Sequence, residues 1–560
     1  MLQRAGYLTL CCEVIPLPNT GKGSEKKFLG GVAVLLPATL FAKILGLFYK
    51  IPLVHTVGVA GMAYFLSAYH VYALLFVLSA SGLPTALSLL IAGAVAAGEG
   101  RSAGRVLRLA LFVFLLLGTG GAALLYAGAD FLAAQLAMPE AAPALRAIAP
   151  ALVLSVLTGA LRGWFQGQHN MIPTAVAEVL EAAGKLAFGL LFATLAKRRG
   201  AALAEVAAAA TLGITAGVAL SALWLLLSTL LWRYRGEGSR CRIRRRQVLA
   251  SLWRVAMPVT LGAAVMNLVS LVDTVLISSR LQAGGLAPEL ANAVYSSYGN
   301  LAVPFYNLVP SLLAPVTLAL TPALSAALAG RRREEAERVL GSALRVAALV
   351  TLPAALGLAV FARPVLLMLY RGEESAVSVA APLLSMLAAA MVPAVLISLA
   401  GAALQAAGHT AVPLLAMLAG AGVKLLCESL LLSVPRVGIL GAPISTLCCN
   451  LTVLAVELAV LARVMPRRIP LDRAPLRALE AAVFAVGGGV FLFGMLGKYG
   501  QVSGLHMPVT LLLVVAVYLL LALRRQAVLR EDLSSLPAGE RLCALLEKCK
   551  LLPEVNDDKR

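Results

Sequence analysis

Charge is scarce in this chain. Only 13% of its 560 residues are Asp, Glu, Lys or Arg, about half the share of a soluble domain. Aromatic residues make up 6%, and histidine occurs five times. A soluble globular protein is excluded by this poverty of charge, and so is a chain left unfolded by an excess of it. The eight cysteines are Cys11, Cys12, Cys241, Cys427, Cys448, Cys449, Cys543 and Cys549. They form no CxxC pair and have no histidine at zinc spacing, so neither a zinc site nor a disulfide framework is expected. No GxxxxGK[ST] phosphate loop occurs: Gly21-Lys-Gly-Ser24 lacks the upstream glycine and a preceding strand. HExxH, GxSxG and paired-carboxylate loops are missing as well, and no long outer segment is available to house catalysis. The expectation is a protein that is not an enzyme, with no cofactor and no metal. The short alternating segments of a transmembrane β-barrel are absent too.

What fills the chain is apolar: 60% hydrophobic residues and a mean hydropathy of +0.89. The apolar runs are too many and too long for a soluble core. They predict an all-α membrane protein of about fourteen transmembrane helices. The first six spans are Phe28–Phe48, Met62–Ala96, Val106–Ala127, Ala144–Leu161, Ile172–Ala196 and Val206–Trp232. The next six are Leu249–Ser279, Ala293–Ala329, Val339–Phe361, Ala380–Ala406, Ala411–Ser433 and Ile439–Val464, followed by Leu476–Leu496 and His506–Leu523. Pro84, Pro304, Pro310, Pro315 and Pro322 are expected to kink their helices.

The formal net charge is +20. On a soluble chain this points to nucleic acid; here the excess lies in short loops between apolar runs, so the partner is the lipid bilayer and no nucleic acid is expected. One alternate set of loops carries Arg101 and Arg105, seven arginines between Arg233 and Arg246, Arg331 to Arg333, and Arg463, Arg467, Arg468 and Arg473. The opposite set is poorer, apart from Lys197-Arg-Arg199. The positive-inside rule puts the rich set and both termini in the cytoplasm of a multi-pass cell-membrane protein, which requires an even number of spans. Residues 1–27 are expected to be an unstructured cytoplasmic leader, 28–232 a first lobe, 233–248 a basic cytoplasmic linker, 249–464 a second lobe, 465–523 the last two spans and 524–560 a cytoplasmic tail.

The lobes repeat. Arg162-Gly-Trp-Phe-Gln166 corresponds to Gly401-Ala-Ala-Leu-Gln405; then come Pro173 and Pro413, then Lys185 and Lys424 deep in the next helix. Six helices per lobe is an even number, so both lobes enter the membrane in the same direction, as a parallel pseudo-two-fold repeat with the substrate path between them.

Ionisable residues inside spans are costly and usually face a polar path. The fifth span carries Glu178, Glu181 and Lys185 on one face. A self-neutralising Glu181–Lys185 pair is the structural alternative. The eleventh span carries Lys424 and Glu428, again four apart. Lys43 of the first span matches Asp273 of the seventh, and Lys50 matches Arg280 at the helix ends, where snorkelling is the alternative. Arg162 closes the fourth span. The candidate substrate-binding residues are therefore Lys43, Lys50, Arg162, Glu178, Glu181, Lys185, Asp273, Arg280 and Lys424. The cations among them suit a phosphate or pyrophosphate head group.

The run Arg162-Gly-Trp-Phe-Gln-Gly-Gln-His-Asn-Met-Ile-Pro-Thr-Ala-Val-Ala-Glu-Val-Leu-Glu181 resembles the signature of the stage V sporulation protein B family. Lys43 to Leu53, Ser81 to Ser88 and Arg146 to Pro150 resemble it as well. That family is a polysaccharide-type branch of the multidrug/oligosaccharidyl-lipid/polysaccharide exporter superfamily, related to the MurJ lipid II flippases and to MATE exporters. The resemblance runs from about Phe28 to the end of the fourteenth span. Trp164 stands where the family has Tyr, Ala177-Glu178 where it has Ser-Gln, and Lys185 where Arg is usual. The resemblance implies two six-helix lobes around a central cavity and a lipid-linked glycan precursor moved from the inner to the outer leaflet; a coupling ion or the membrane potential is the expected driving force. In endospore formers it implies a link to spore cortex peptidoglycan. The rival readings are a MATE-type cation-coupled drug antiporter, a polytopic glycan polymerase and a scaffold that transports nothing.

Overall fold

The computed structural model describes residues 22–527, apart from 81, 97–99, 169, 232–244, 331, 435–436, 465–472 and 500–505. Every regular element among the described residues is a helix. The first unit of the chain holds α1 (Lys22–Val57), α2 (Val59–Ala80), α3 (Leu83–Ala96), α4 (Gly100–Ala127), the short α5 (Ala129–Gln135), α6 (Ala142–Gly167), α7 (Ile172–Arg198), α8 (Leu203–Leu231), α9 (Arg245–Ala283) and α10 (Pro288–Ser296). The second holds α11 (Val303–Ala329), α12 (Arg333–Leu369), α13 (Glu374–Ala406), α14 (Ala411–Leu431), α15 (Gly441–Val464), α16 (Ala474–Tyr499) and α17 (His506–Arg524).

Thirteen helices among the described residues are long and apolar enough to cross a bilayer. The seventh expected span lies inside the 39-residue α9, which carries no charged residue from Val255 to Val272. Leu230, Leu231, Phe112, Leu124, Phe491 and Leu512 are exposed, each by more than two thirds, while the buried set is rich in alanine. Water disfavours such a surface; lipid does not, and small residues between helices permit close packing. The chain is a multi-pass α-helical membrane protein.

Several expectations shift at the level of elements. The second span, expected as one run from Met62 to Ala96, is two helices. Gly82 lies at the break, where a β-carbon would meet the Ala256 carbonyl oxygen of α9 at 2.2 Å, and its N–H donates instead to Thr260 Oγ1 at 3.3 Å. Pro84 therefore opens α3 rather than kinking a longer helix, as suits a residue that lacks an N–H. Pro304, Pro310, Pro315 and Pro322 lie in α11, whose helical run is unbroken. The irregularity falls before it, in a buried π-helical turn at Ser297–Ala302. A kink does occur in α12, at Phe361 (φ −99°, ψ 16°), three residues before Pro364, whose ring crowds the preceding turn. Helix α1 starts at Lys22, inside the segment read as a leader.

By packing, the chain divides into Met1–Ser296 and Ser297–Arg560. Much of the basic segment 233–248 is outside the described residues, and the packing boundary falls well beyond it, so α9 and α10 pack with the first unit. Polar contacts fix them there. His70 Nδ1 of α2 lies 2.8 Å from Thr274 Oγ1 and 3.3 Å from Tyr295 Oη, and Thr274 and Tyr295 are 2.8 Å apart. Gln282 Nε2 donates to the Ala137 carbonyl at 3.1 Å. In the second unit, Asn450 Nδ2 of α15 donates to Tyr306 Oη at 2.8 Å and to the Ala390 carbonyl at 3.0 Å, joining three helices.

Candidate functional site

Helix α7 is seated by glycines. A β-carbon on Gly217 of α8 would meet the Lys185 nitrogen at 2.6 Å and the Glu181 carbonyl at 2.8 Å; one on Gly213 would meet the Gly189 α-carbon at 2.2 Å. Only glycine lets α8 lie this close. The turn carrying Glu181 and Lys185 is thereby pressed against a neighbouring backbone, with the Lys185 Cγ also 2.8 Å from the place of that β-carbon. Helix α6 is placed in the same way: a β-carbon on Gly163 would meet the Pro84 carbonyl at 2.7 Å, which fixes the turn bearing Arg162.

These elements bring four of the expected residues together. Glu181 accepts from Lys185 Nζ at 2.6 Å and from Arg162 Nη2 at 2.7 Å. Glu178 lies 3.8 Å from Arg162 Nη1 and accepts from Thr39 Oγ1 of α1 at 2.6 Å. The side chains are 21–26% exposed, so the cluster is half-buried rather than sealed. Two cations and two carboxylates make it formally neutral. Donor capacity remains: the buried Arg162 Nε has no partner among the described residues, and an ammonium has three donors. Tyr72 Oη of α2 lies 2.6 Å from Ser155 Oγ of α6.

The other expected residues lie elsewhere. Lys43 is exposed on α1. Lys50 is half-buried near the end of the same helix, and Arg280 is exposed near the end of α9. None of the three makes an ion pair among the described residues. Asp273 is half-buried on α9, one residue before the Thr274 that meets His70. Lys424 is in the second unit, 8% exposed, one turn from the fully buried Glu428. The run Lys197-Arg-Arg199 also has a local reason. It ends α7, where positive charge meets the helix dipole, and Lys197 Nζ donates to the His55 carbonyl of the last turn of α1 at 3.2 Å.

The repeat is visible in hydrogen bonds. After α6, the Asn170 N–H donates to the Phe165 carbonyl at 3.0 Å; after α13, the His409 N–H donates to the Leu404 carbonyl at 2.9 Å. The shift that takes Phe165 to Leu404 and Asn170 to His409 also takes Arg162 to Gly401, Gln166 to Gln405 and Lys185 to Lys424. It takes Glu181 to Gly420 and Gly189 to Glu428. Each unit thus keeps the lysine, with a carboxylate one turn before it in one unit and one turn after it in the other, and a glycine in the remaining place. Sequence reading missed Thr39, which carries no charge, and Glu457, 1% exposed on α15, although an acid within the apolar run Leu454-Ala-Val-Glu-Leu-Ala459 was signal enough.

The polysaccharide biosynthesis protein model matches residues 28–328, more than half of the chain. The chain belongs to that family. A second family model, MatE, matches this polysaccharide biosynthesis protein over residues 258–428. It is 25% identical over 537 residues to stage V sporulation protein B of Bacillus subtilis (strain 168), covering 93% of this chain and 99% of that one. It is 30% identical over 179 residues to the lipid II flippase MurJ of the same organism, covering 30% of this chain and 33% of that one. Among solved structures, an inward-facing MATE family multidrug resistance transporter of the MOP superfamily superposes with a TM-score of 0.65 at 18% identity, over 77% of this chain and 98% of that one. The inward closed form of the lipid II flippase MurJ gives 0.65 at 16% identity, over 87% and 97%. The fold is that of the MATE and MurJ proteins.

Proposed function

We propose that this protein is a secondary transporter, not an enzyme, that moves a lipid-linked oligosaccharide resembling a peptidoglycan precursor from the inner to the outer leaflet by alternating access. In an endospore former the glycan would serve the spore cortex. The observation that carries the reading is the Arg162–Glu181–Lys185 arrangement. Two cations share one carboxylate, stay partly exposed and keep donors to spare. A diphosphate head group competes for such donors, because a guanidinium and an ammonium bind phosphate oxygens in charge-assisted hydrogen bonds. Glu181 then acts as an internal stand-in for the substrate, holding the cations between cycles. The name of the MurJ relative, a lipid II flippase, and the polysaccharide biosynthesis family support the substrate class, and the name of stage V sporulation protein B supports the link to sporulation. Both termini and the basic segment 233–248 lie on the cytoplasmic side in this reading, and a coupling ion or the membrane potential drives the cycle.

The test is flipping of a defined lipid-linked diphosphate oligosaccharide by the purified protein in liposomes. Wild type should translocate it and Lys185→Gln should not. A second reading, a MATE-type cation-coupled drug antiporter, is favoured by the MatE match and by the neutrality of the cluster. Cation-driven efflux of an organic cation, with no flipping of the glycan lipid, would establish it instead.

A further inference from the structure

Glu457 departs from the pattern of the other buried charges. Both Glu178 and Glu181 have partners, whereas Glu457 Oε2 is buried with no hydrogen-bond partner among the described residues. Its Oε1 lies 3.4 Å from where a β-carbon on Gly401 of α13 would stand, and Pro413 of α14 borders the same point at 3.8 Å. The repeat gives this place a meaning. Gly401 takes the position that Arg162 has in the first unit. One unit sends a guanidinium off that turn; the other has no side chain there, and a carboxyl group from α15 occupies the room. Around Gly401 lies a buried apolar cluster with Ala400, Ala402, Ala403, Leu404 and Leu461.

A lone carboxylate in such surroundings is among the costliest groups to bury, and it persists only with a proton or a cation on it. A metal cation takes about six oxygen ligands. Gly401 and Pro413 offer no side-chain oxygen, and no cluster of three acidic, histidine or cysteine side chains exists among the described residues. The charged groups on the packed elements are few. α14 carries Lys424, Cys427 and Glu428, and Lys424 is about 16 Å along the helix from Pro413. α13 carries only Glu374, in its first turn. α15 itself has Cys448, Cys449 and Arg463, and the 3₁₀ turn Gly438–Leu440 has none. His409, in the turn between α13 and α14, is exposed.

We infer that Glu457 is a proton-binding site of the second unit, loaded and unloaded as the transporter cycles. The coupling half of this inference rests on the transporter reading; the proton half does not. Glu457→Gln keeps the size of the side chain and removes the proton that can be released. Purified full-length protein should show the infrared carbonyl band of a protonated carboxylic acid at neutral pH, and the Glu457→Gln difference spectrum should show it lost. In liposomes, an imposed pH gradient should raise wild-type flipping of the lipid-linked diphosphate oligosaccharide several-fold, whereas Glu457→Gln should run at one rate with or without the gradient. Should Glu457→Gln fail to fold, Glu457→Asp, which retains a carboxyl, should keep the gradient response. An unchanged spectrum, a gradient response surviving in Glu457→Gln, or a sodium gradient that replaces the proton gradient would each overturn the inference. Absence of flipping in wild type under every gradient would overturn the transport reading instead, and the infrared band would still decide the proton site.

Discussion

At the scale of single residues, the decisive question is whether the Glu181 pairs hold the fold or meet the substrate. A buried pair replaced whole by neutral groups costs little, while removal of one partner strands the other and costs about 3–5 kcal/mol. With a fifth to a quarter of each side chain exposed, solvent screening puts the expected loss toward the low end of that range. Glu181→Gln should therefore lower thermal stability, because it leaves Lys185 without its carboxylate and Arg162 with only Glu178, 3.8 Å away. Lys185→Gln should cost less stability, because Arg162 still neutralises Glu181, yet it should abolish flipping. The double change Glu181→Gln with Lys185→Gln should recover stability and stay inactive, and Lys185→Arg should keep activity. Transport restored in the double neutral variant would overturn the substrate contact and leave a structural pair. Glu178 is a different case. Its hydrogen bond comes from the neutral donor Thr39, its ion pair with Arg162 is long at 3.8 Å, and the resemblance has Gln at this position, so Glu178→Gln should keep both fold and transport. These charges were legible from spacing alone, since positions three and four apart share a helix face. The participation of Arg162 was legible only as a residue at a span end, because its partners depend on how α6 meets α7.

At the scale of elements, the placement of the site depends on helices that touch through backbone. Adding a methyl group to a helical glycine normally stabilises by up to about 1 kcal/mol. At Gly422 of α14, with nothing within 4 Å, Gly422→Ala should follow that rule. At Gly217 the same methyl group meets the backbone of α7 at 2.6 Å, a contact that the partner cannot relieve by a rotamer change. Gly217→Ala should destabilise by about 1–3 kcal/mol, and it should impair flipping out of proportion to stability, because it pushes away the turn bearing Glu181 and Lys185. Thermal unfolding of the two variants beside wild type checks the sign of each; equal stabilisation by both would show that α7 and α8 do not pack as described. Hydropathy could not distinguish these glycines, since both sit in apolar spans. It also missed the break at Gly82, which is imposed by the approach of α9 rather than by a local lapse in apolar character.

At the scale of the whole molecule, the sequence carried the class and the repeat well. Lipid asks only for length and apolar content, and a repeat leaves matched motifs that survive divergence, such as Gln166 with Gln405. The seventh span was read at Leu249–Ser279, and α9 contains it, with no charged residue from Val255 to Val272. The topology turns on it. If α9 crosses, Arg240 before it and Ala287 after it lie on opposite faces; if it does not, they share one. A cysteine-free background with Arg240→Cys or Ala287→Cys separates the cases, using a thiol reagent that does not pass the membrane. With fourteen spans and the basic segment inside, Ala287→Cys should label in intact cells and Arg240→Cys only after the membrane is opened. Ala202→Cys, in the turn between α7 and α8, should label with Ala287→Cys, because two crossings separate them beyond the basic segment. Labelling of Arg240→Cys and Ala287→Cys under the same condition would remove α9 from the spans, make the number odd and put the two termini on opposite sides of the membrane.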